Sequence, residues 1–429
     1  MNLTSRFTAA DGLLRPPAAH RATTAHLQAA YPFVAEGGLP CGQVYVGRDL
    51  YGSSFCYDPW QLYDAKIITG TNAVVVGQIG RGKSACVKTL LGRQVLHGRK
   101  GVAFDVKGEY APLAAALGVT PLRLEPGGHL RLNPLDARSP TREQAELVEA
   151  LAATALQRPL RPEERTALEL AIDAARHHRT EATLPTVVEA LFNPDPATAA
   201  TIHTTPAALA ASARDVALEL RRLCQGALAG MFDGPTTTGV DFHAPLVVVD
   251  LSGVYHSPAL PVVMTCVAAW LQATLATDVN TRRVVVMDEA WRMFSDVAIA
   301  AWMQQSFKLS RSFGVQNILV MHRLSDLGAA GAAGSHQVRL VEGLLADAET
   351  RIIYAQPPSE IERCRELLGL TDTEAAMLPA LPRGQALWKV GRRSFLVEHR
   401  LAPGERHLTD TDHRTTAQPP KQNPAPVAA

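Results

Sequence analysis

Cysteine is scarce in this chain of 429 residues, and the six present (Cys41, Cys56, Cys86, Cys224, Cys266, Cys364) stand singly. None forms a C-x-x-C pair or neighbours a histidine. The sequence therefore suggests neither a zinc site nor a disulfide framework, and it fits a reducing compartment. An excess of one charge is lacking too: 42 basic residues face 41 acidic ones, for a net charge of +1. So balanced a chain has no global basic footprint for holding DNA non-specifically, and any nucleic-acid contact must come from a local patch. Long apolar runs are also missing. The opening MNLTSRFTAADGLLRPP holds no apolar core for a signal peptide. The most apolar stretch, Leu260–Thr277, is broken by Pro261, Thr265, Gln272 and Thr274, whereas a membrane span needs about 20 strongly apolar residues. That stretch reads as a buried crossover helix, and the chain as cytosolic, with docking on the inner face of a membrane complex left open. What is present is globular: 47% hydrophobic and 19% charged residues exclude a wholly disordered chain.

Local patterns give the fold class. Residues 42–68 alternate as a short β-hairpin would. TNAVVV (71–76) is a β-branched run ending at Gly77, SACVKTLLGRQVL (84–96) has helical periodicity, and GVAFDV (101–106) is a second buried strand. Strand, turn, helix and strand in that order open a parallel α/β sheet. From Thr141 to about Gly230 only Ala- and Leu-rich helical pattern appears, punctuated by Pro185, Pro194, Pro196 and Pro206. Strand pattern returns at PLVVVDLSG (245–253), RRVVVMDEA (282–290), QNILVMH (316–322) and RIIYAQ (351–356), and a hairpin is expected around Gly391-Arg392-Arg393. No internal repeat is present.

The chemistry is written at the turns after these strands. Gly77, Gln78, Ile79, Gly80, Arg81, Gly82, Lys83 and Ser84 fit G-x-x-x-x-G-K-[ST] in full, between an expected strand and helix. Such a loop turns successive backbone N–H groups onto phosphate oxygens, and Ala85 follows within the same cradle. Lys83 is expected to be solvated until it neutralises the β and γ phosphates of ATP, while the Ser84 hydroxyl ligates Mg²⁺. VVVMDEA supplies the second carboxylate partner: Asp288 to hold Mg²⁺ through water, Glu289 to polarise the attacking water. The N-K-x-D motif of GTPases is absent, and Leu251-Ser252-Gly253 breaks off short of the ABC signature L-S-G-G-Q. Arg311, in KLSRSFG (308–314), could reach a neighbouring subunit's site as an arginine finger. The alternative is an arginine favoured by the helix dipole. His322, with Arg323, ends the next strand at the level of a phosphate sensor.

These residues carry a resemblance. GQIGRGKS, FDVKGEY (104–110), RLNPLD (131–136), GMFDGPT (230–236), VVVDLSG, VVVMDEAW, KLSRSFG and the C-terminal hairpin ending at Glu405 occur in the order found in conjugative-transfer and type IV secretion ATPases of the HerA–FtsK superfamily. The resemblance covers roughly residues 40–405. It implies a RecA-like P-loop core with a mostly parallel sheet, an all-helical insertion and a C-terminal β-hairpin. Residues 1–40 are then a flexible arm, 41–138 and 233–402 the two parts of the core, 139–232 the insertion domain, and 403–429 a disordered tail. It also implies ATP and Mg²⁺ as ligands, a homo-hexamer with nucleotide at subunit interfaces, and membrane-associated transfer or secretion channel components as partners.

Two departures stand out. The family's large members carry a long domain before the ATPase, whereas here the P-loop already begins at Gly77, implying a standalone motor or one whose other half is a separate polypeptide. The sensor is usually Gln, and here it is His322. Asp105, Lys107 and Glu109 read equally as part of the site and as a turn capping the helix that begins near Pro112. The rival readings are a pump gripping DNA through Arg161-Arg165, Arg176-His177-His178-Arg179 and Arg221-Arg222, and a scaffold clamped by ATP without hydrolysis.

Overall fold

In a computed structural model the described residues are 38–409, except 41, 43, 137–140, 179–180, 226–227, 239, 256, 258–259, 278–280, 290–296 and 326–335. Eleven strands form one sheet: β1 Tyr45–Asp49, β2 Ser54–Cys56, β3 Ala73–Val76, β4 Lys100–Asp105, β5 Leu122–Arg123, β6 Leu246–Asp250, β7 Arg283–Met287, β8 Val315–Met321, β9 Thr350–Ile353, β10 Gln385–Val390 and β11 Arg393–His399. Their spatial order is β2-β1-β11-β10-β9-β3-β8-β7-β4-β6-β5. Every pairing from β9 to β5 is parallel, and every pairing from β9 to β2 is antiparallel.

The buried strands are near-continuous in Val and Ile because both faces are covered, as parallel sheets require. Successive side chains alternate between two cores. Val75, Val286 and Val320 join Val87, Leu90 and Leu91 of the helix Lys83–Leu96. Val76, Met287 and Leu319 face the other way, onto the helices Leu260–Thr277, Val297–Leu309 and His336–Asp347. Among the described residues no helix is long and apolar enough to cross a membrane, and Leu260–Thr277 packs inside the second core. Cys86, Cys224, Cys266 and Cys364 are buried thiols outside any disulfide.

Between β5 and β6 the described residues form helices over Thr141–Leu156, Pro162–His178, Leu184–Phe192, Pro196–Thr201, Pro206–Ser212 and Arg214–Cys224. Pro185, Pro196 and Pro206 each sit in the first helical turn, where the missing N–H is harmless. The segments RLNPLD and GMFDGPT, on either side of these helices, meet at their base. Leu132 N donates to Met231 O at 2.8 Å, Arg131 Nε to Asp233 Oδ1 at 2.8 Å, and Asn133 N to Thr236 Oγ1 at 3.0 Å. These motifs form the neck through which the chain leaves and rejoins the sheet.

Three features depart from the sequence expectation. The alternation over 42–68 gives a hairpin only as far as Cys56; Asp58 then accepts from Trp60 N and Gln61 N and starts the helix Pro59–Asp64. That hairpin extends the same sheet as the C-terminal one, since β1 pairs with β11. Order also continues past residue 403, through Pro403–Glu405 and the helix Arg406–Thr409. Arg93 holds that end by a bidentate pair with Glu405 (2.8 and 2.6 Å) and donates to Arg400 O and Tyr45 O. Residues 410–429 and the arm up to residue 37 lie outside the described residues.

Candidate nucleotide site

The loop between β3 and the helix Lys83–Leu96 is shaped by its glycines. Gly80 (φ 76°) and Gly82 (φ 106°) occupy the left-handed region, where a side chain is strained. A Cβ on Gly77 would come within 2.4 Å of Tyr354 Cβ. Two strand ends tie the loop down: Gln78 N donates to Ala355 O, just past β9, and Gly384 N, before β10, donates to Arg81 O, both at 3.0 Å. Ile79, 79% exposed, projects away from the body. Residues 78–81 line a cleft of about 670 Å³ together with His322, Arg323 and Arg383. Three of these are arginines, a lining suited to a polyanion.

Lys83 is not solvated, contrary to the sequence expectation. It is 4% exposed and its Nζ folds back on its own loop, donating to Gly77 O at 2.5 Å and Gln78 O at 2.8 Å. Those carbonyls are the acceptors within reach once the loop curls round the ammonium. Burial pushes the group down to about 8, against the pull of Asp288 and Glu289. Ser84 and Ala85 follow in the first turn, half-buried.

Asp288 and Glu289 lie directly past β7, whose last residue Met287 pairs with Phe104 of β4. They share one address and have opposite electrostatics. Burial, then the adjacent Glu289 charge, pushes the Asp288 carboxyl up to about 6. Burial would also raise Glu289, but hydrogen bonds from His322 and Lys107 outweigh it and hold that carboxyl at about 2. Such a separation is how paired carboxylates acquire different roles. A buried carboxylate beside a like charge is stabilised by a divalent cation, and Asp288 and the Ser84 hydroxyl are hard oxygen donors of the kind Mg²⁺ takes. His322, one residue past the end of β8, follows the pairing of Met321 with Val76. Its Nε2 lies 2.5 Å from Glu289 Oε1.

Arg311 is not part of this cluster. It lies in the turn after the helix Val297–Leu309 and before β8 begins at Val315. That is the N-terminal edge of the parallel strands, whereas the P-loop lies at the C-terminal edge. Arg311 is exposed there and donates to Thr69 O at 3.4 Å, so it cannot serve its own subunit's P-loop.

Sequence reasoning passed over Arg383 and left Lys107 open between the site and a capping turn; the structure brings Lys107 to the site. Lys107 is ion-paired with Glu289. Asp105 and Glu109 take the structural side of the ambiguity: Asp105 accepts from Lys107 N and Tyr110 N at 3.2 and 2.8 Å, and Glu109 pairs with Lys88 at 3.4 Å. The helical segment's arginines are engaged locally: Arg161 with Glu164, Arg165 with Glu149, Arg176 with Asp173 and Arg222 with Glu219. Arg179 lies outside the described residues.

Residues 61–259 match the family described as Helicase HerA, central domain. No curated protein matches the chain in sequence. The fold is shared with VirB4 of Thermoanaerobacter pseudethanolicus, at 22% identity over 86% of this chain and 100% of that one, with a TM-score of 0.68. It is also shared with the bacterial conjugative coupling protein TrwB. The unbound form gives 13% identity, 83% and 89% coverage and a TM-score of 0.52; the complex with ADP and Mg²⁺ gives 13%, 84% and 90%, and 0.53. The sheet, the P-loop and their covering helices are those of a RecA-like P-loop NTPase.

Proposed function

We propose that this chain, of the HerA–FtsK type by its family match and fold, is an ATP-hydrolysing ring motor that powers conjugative DNA transfer or type IV-like secretion. The observation that carries the reading is the convergence, at one edge of the sheet, of a complete P-loop with Asp288, Glu289 and His322. In this reading Gly77 to Ala85 cradle the phosphates and Lys83 exchanges its two loop carbonyls for β and γ oxygens. Ser84 and Asp288 hold Mg²⁺, which neutralises charge on the phosphates. Glu289 takes the proton of the attacking water, and His322 stands beside it as the sensor, an imidazole donating where an amide usually does. Arg311 serves the next subunit of a homo-hexamer, and the helices of 139–232 act as an insertion domain between core parts 41–138 and 233–402. The proposed setting is the cytosolic face of a membrane-associated channel, which supplies the partners.

Steady-state ATP hydrolysis by the purified chain, with and without DNA, tests this. Turnover that vanishes in Lys83→Ala supports the motor; its absence in the wild type would leave the ATP-clamped scaffold. Stimulation by DNA with a steep salt dependence would favour a DNA pump over a secretion motor.

A further inference from the structure

Lys107 has no part in the chemistry described so far, yet it touches its central group. Its Nζ pairs with Oε1 of Glu289, the same oxygen that His322 Nε2 meets at 2.5 Å, and the two nitrogens lie 3.5 Å apart. A carboxylate oxygen offers two lone-pair directions, and on Oε1 both are taken. Water cannot pass a proton to that oxygen while both partners stay. The backbone beneath is strained as well. Glu289 has φ 55°, a region disfavoured for a residue with a Cβ, and such outliers mark places with two competing arrangements. Asp288 Oδ1 accepts Glu289 N–H at 3.0 Å and holds the turn in place. The loop on the other side of the pair is fixed, because Asp105 accepts two of its N–H groups. The part able to move is the Lys107 side chain, 42% exposed. Its charge is felt at Lys83, so phosphates gathered by the P-loop come within its electrostatic reach.

We infer that Lys107 is a positioning residue that withholds Oε1 of Glu289 from the attacking water until the phosphates of a bound nucleoside triphosphate draw its ammonium away. The inference rests on the hydrolytic reading above, and the two fail separately. Wild-type turnover that Glu289→Gln abolishes establishes the reading; the Lys107 variants then test the latch. The phosphates displace the ammonium only in part, so Lys107→Met should remove the closed fraction that persists with ATP bound and raise kcat about twofold or more. ATP should bind somewhat more weakly for want of one cation near the phosphates. Lys107→Arg should restore the lower rate. A kcat that falls or stays level in Lys107→Met overturns the inference. A crystal structure with a non-hydrolysable ATP analogue gives the second measurement. Lys107 Nζ beyond hydrogen-bond distance of Glu289 supports the latch; an intact pair over bound nucleotide refutes it.

Discussion

The two edges of the parallel strands are built on opposite rules. At the N-terminal edge polar groups answer one another: Asn72 Nδ2 donates to Phe307 O at 2.9 Å, Asn317 Nδ2 to Asn72 Oδ1 at 3.0 Å, and Ser306 Oγ to Asn317 Oδ1 at 3.0 Å. All three polar side chains are held by neighbours on β8, on the helix Val297–Leu309 or just before β3. At the C-terminal edge the groups are crowded and mismatched. A lysine is buried on its own loop's carbonyls, two carboxylates are adjacent, and a glutamate has a left-handed backbone. One edge stores shape; the other stores free energy that a ligand can release. A fully satisfied buried network rigidifies, and functional sites are where strain is tolerated.

The sharpest way to break this contrast is through Arg311, the residue on the quiet edge to which chemistry is assigned. If it completes a neighbour's site, Arg311→Ala binds ATP normally and loses about 10³ to 10⁵ in turnover. Mixing it with Glu289→Gln should regain activity, since some interfaces then pair an intact Glu289 with an intact Arg311; a rate flat across mixing ratios would exclude action in trans. Within the strained edge, Glu289→Gln keeps shape but cannot take a proton, so hydrolysis should fall about 10² to 10⁴-fold while a fluorescent ATP analogue still binds. Loss of binding together with turnover would assign Glu289 to holding the nucleotide instead.

On the satisfied edge the expected effect is on stability. Asn72→Ala removes the bonds from Asn72 Nδ2 to Phe307 O and from Asn317 Nδ2 to Asn72 Oδ1, while Ser310 Oγ still donates to Phe307 O and Ser306 O still accepts from Asn317 Nδ2. Two lost bonds should cost about 2 kcal/mol in chemical denaturation. Nucleotide affinity of the folded fraction should stay level. The smallest effect lies where the C-terminal strands meet the P-loop helix. Burial, then Arg93, holds His399 down to about 4, against about 6.5 in the unfolded chain. The folded state thus binds fewer protons. The stability from neutral His399 is complete above about pH 6.5 and is lost progressively as pH falls to 4, about 1–2 kcal/mol of it between pH 7 and pH 5. Urea unfolding at pH 7 and pH 5 should show it in the wild type and much less in His399→Gln.

What could be read in the sequence follows the same division. Val-rich strands, Pro-started helices and the P-loop are local signals, and they located the sheet, the helical segment and the cradle. Lys107 was singled out with its motif but left undecided between site and turn, because its contact depends on β4 lying beside β7. Once Phe104 pairs with Met287, residues just past both strands must meet. The two-residue β5 was too short to show a period, and the pairing of β1 with β11 joins segments from opposite ends of the chain. Lys83 misled for a different reason: its motif states what it does with phosphate, not where it rests before phosphate arrives.

The sheet order has a consequence for how the protein is made. β3 carries the P-loop early in the chain, yet Val76 is paired on one side with Met321 and on the other with Ile353. The loop's own tethers, Ala355 and Gly384, are later still. During synthesis the P-loop strand must wait, apolar and unpaired, until both flanking strands have left the ribosome. Contacts this distant in sequence make for slow folding, and exposed strand edges invite aggregation meanwhile. The P-loop's surroundings are therefore among the last features to form, and a chain arrested before Ala355 lacks both tethers of the loop.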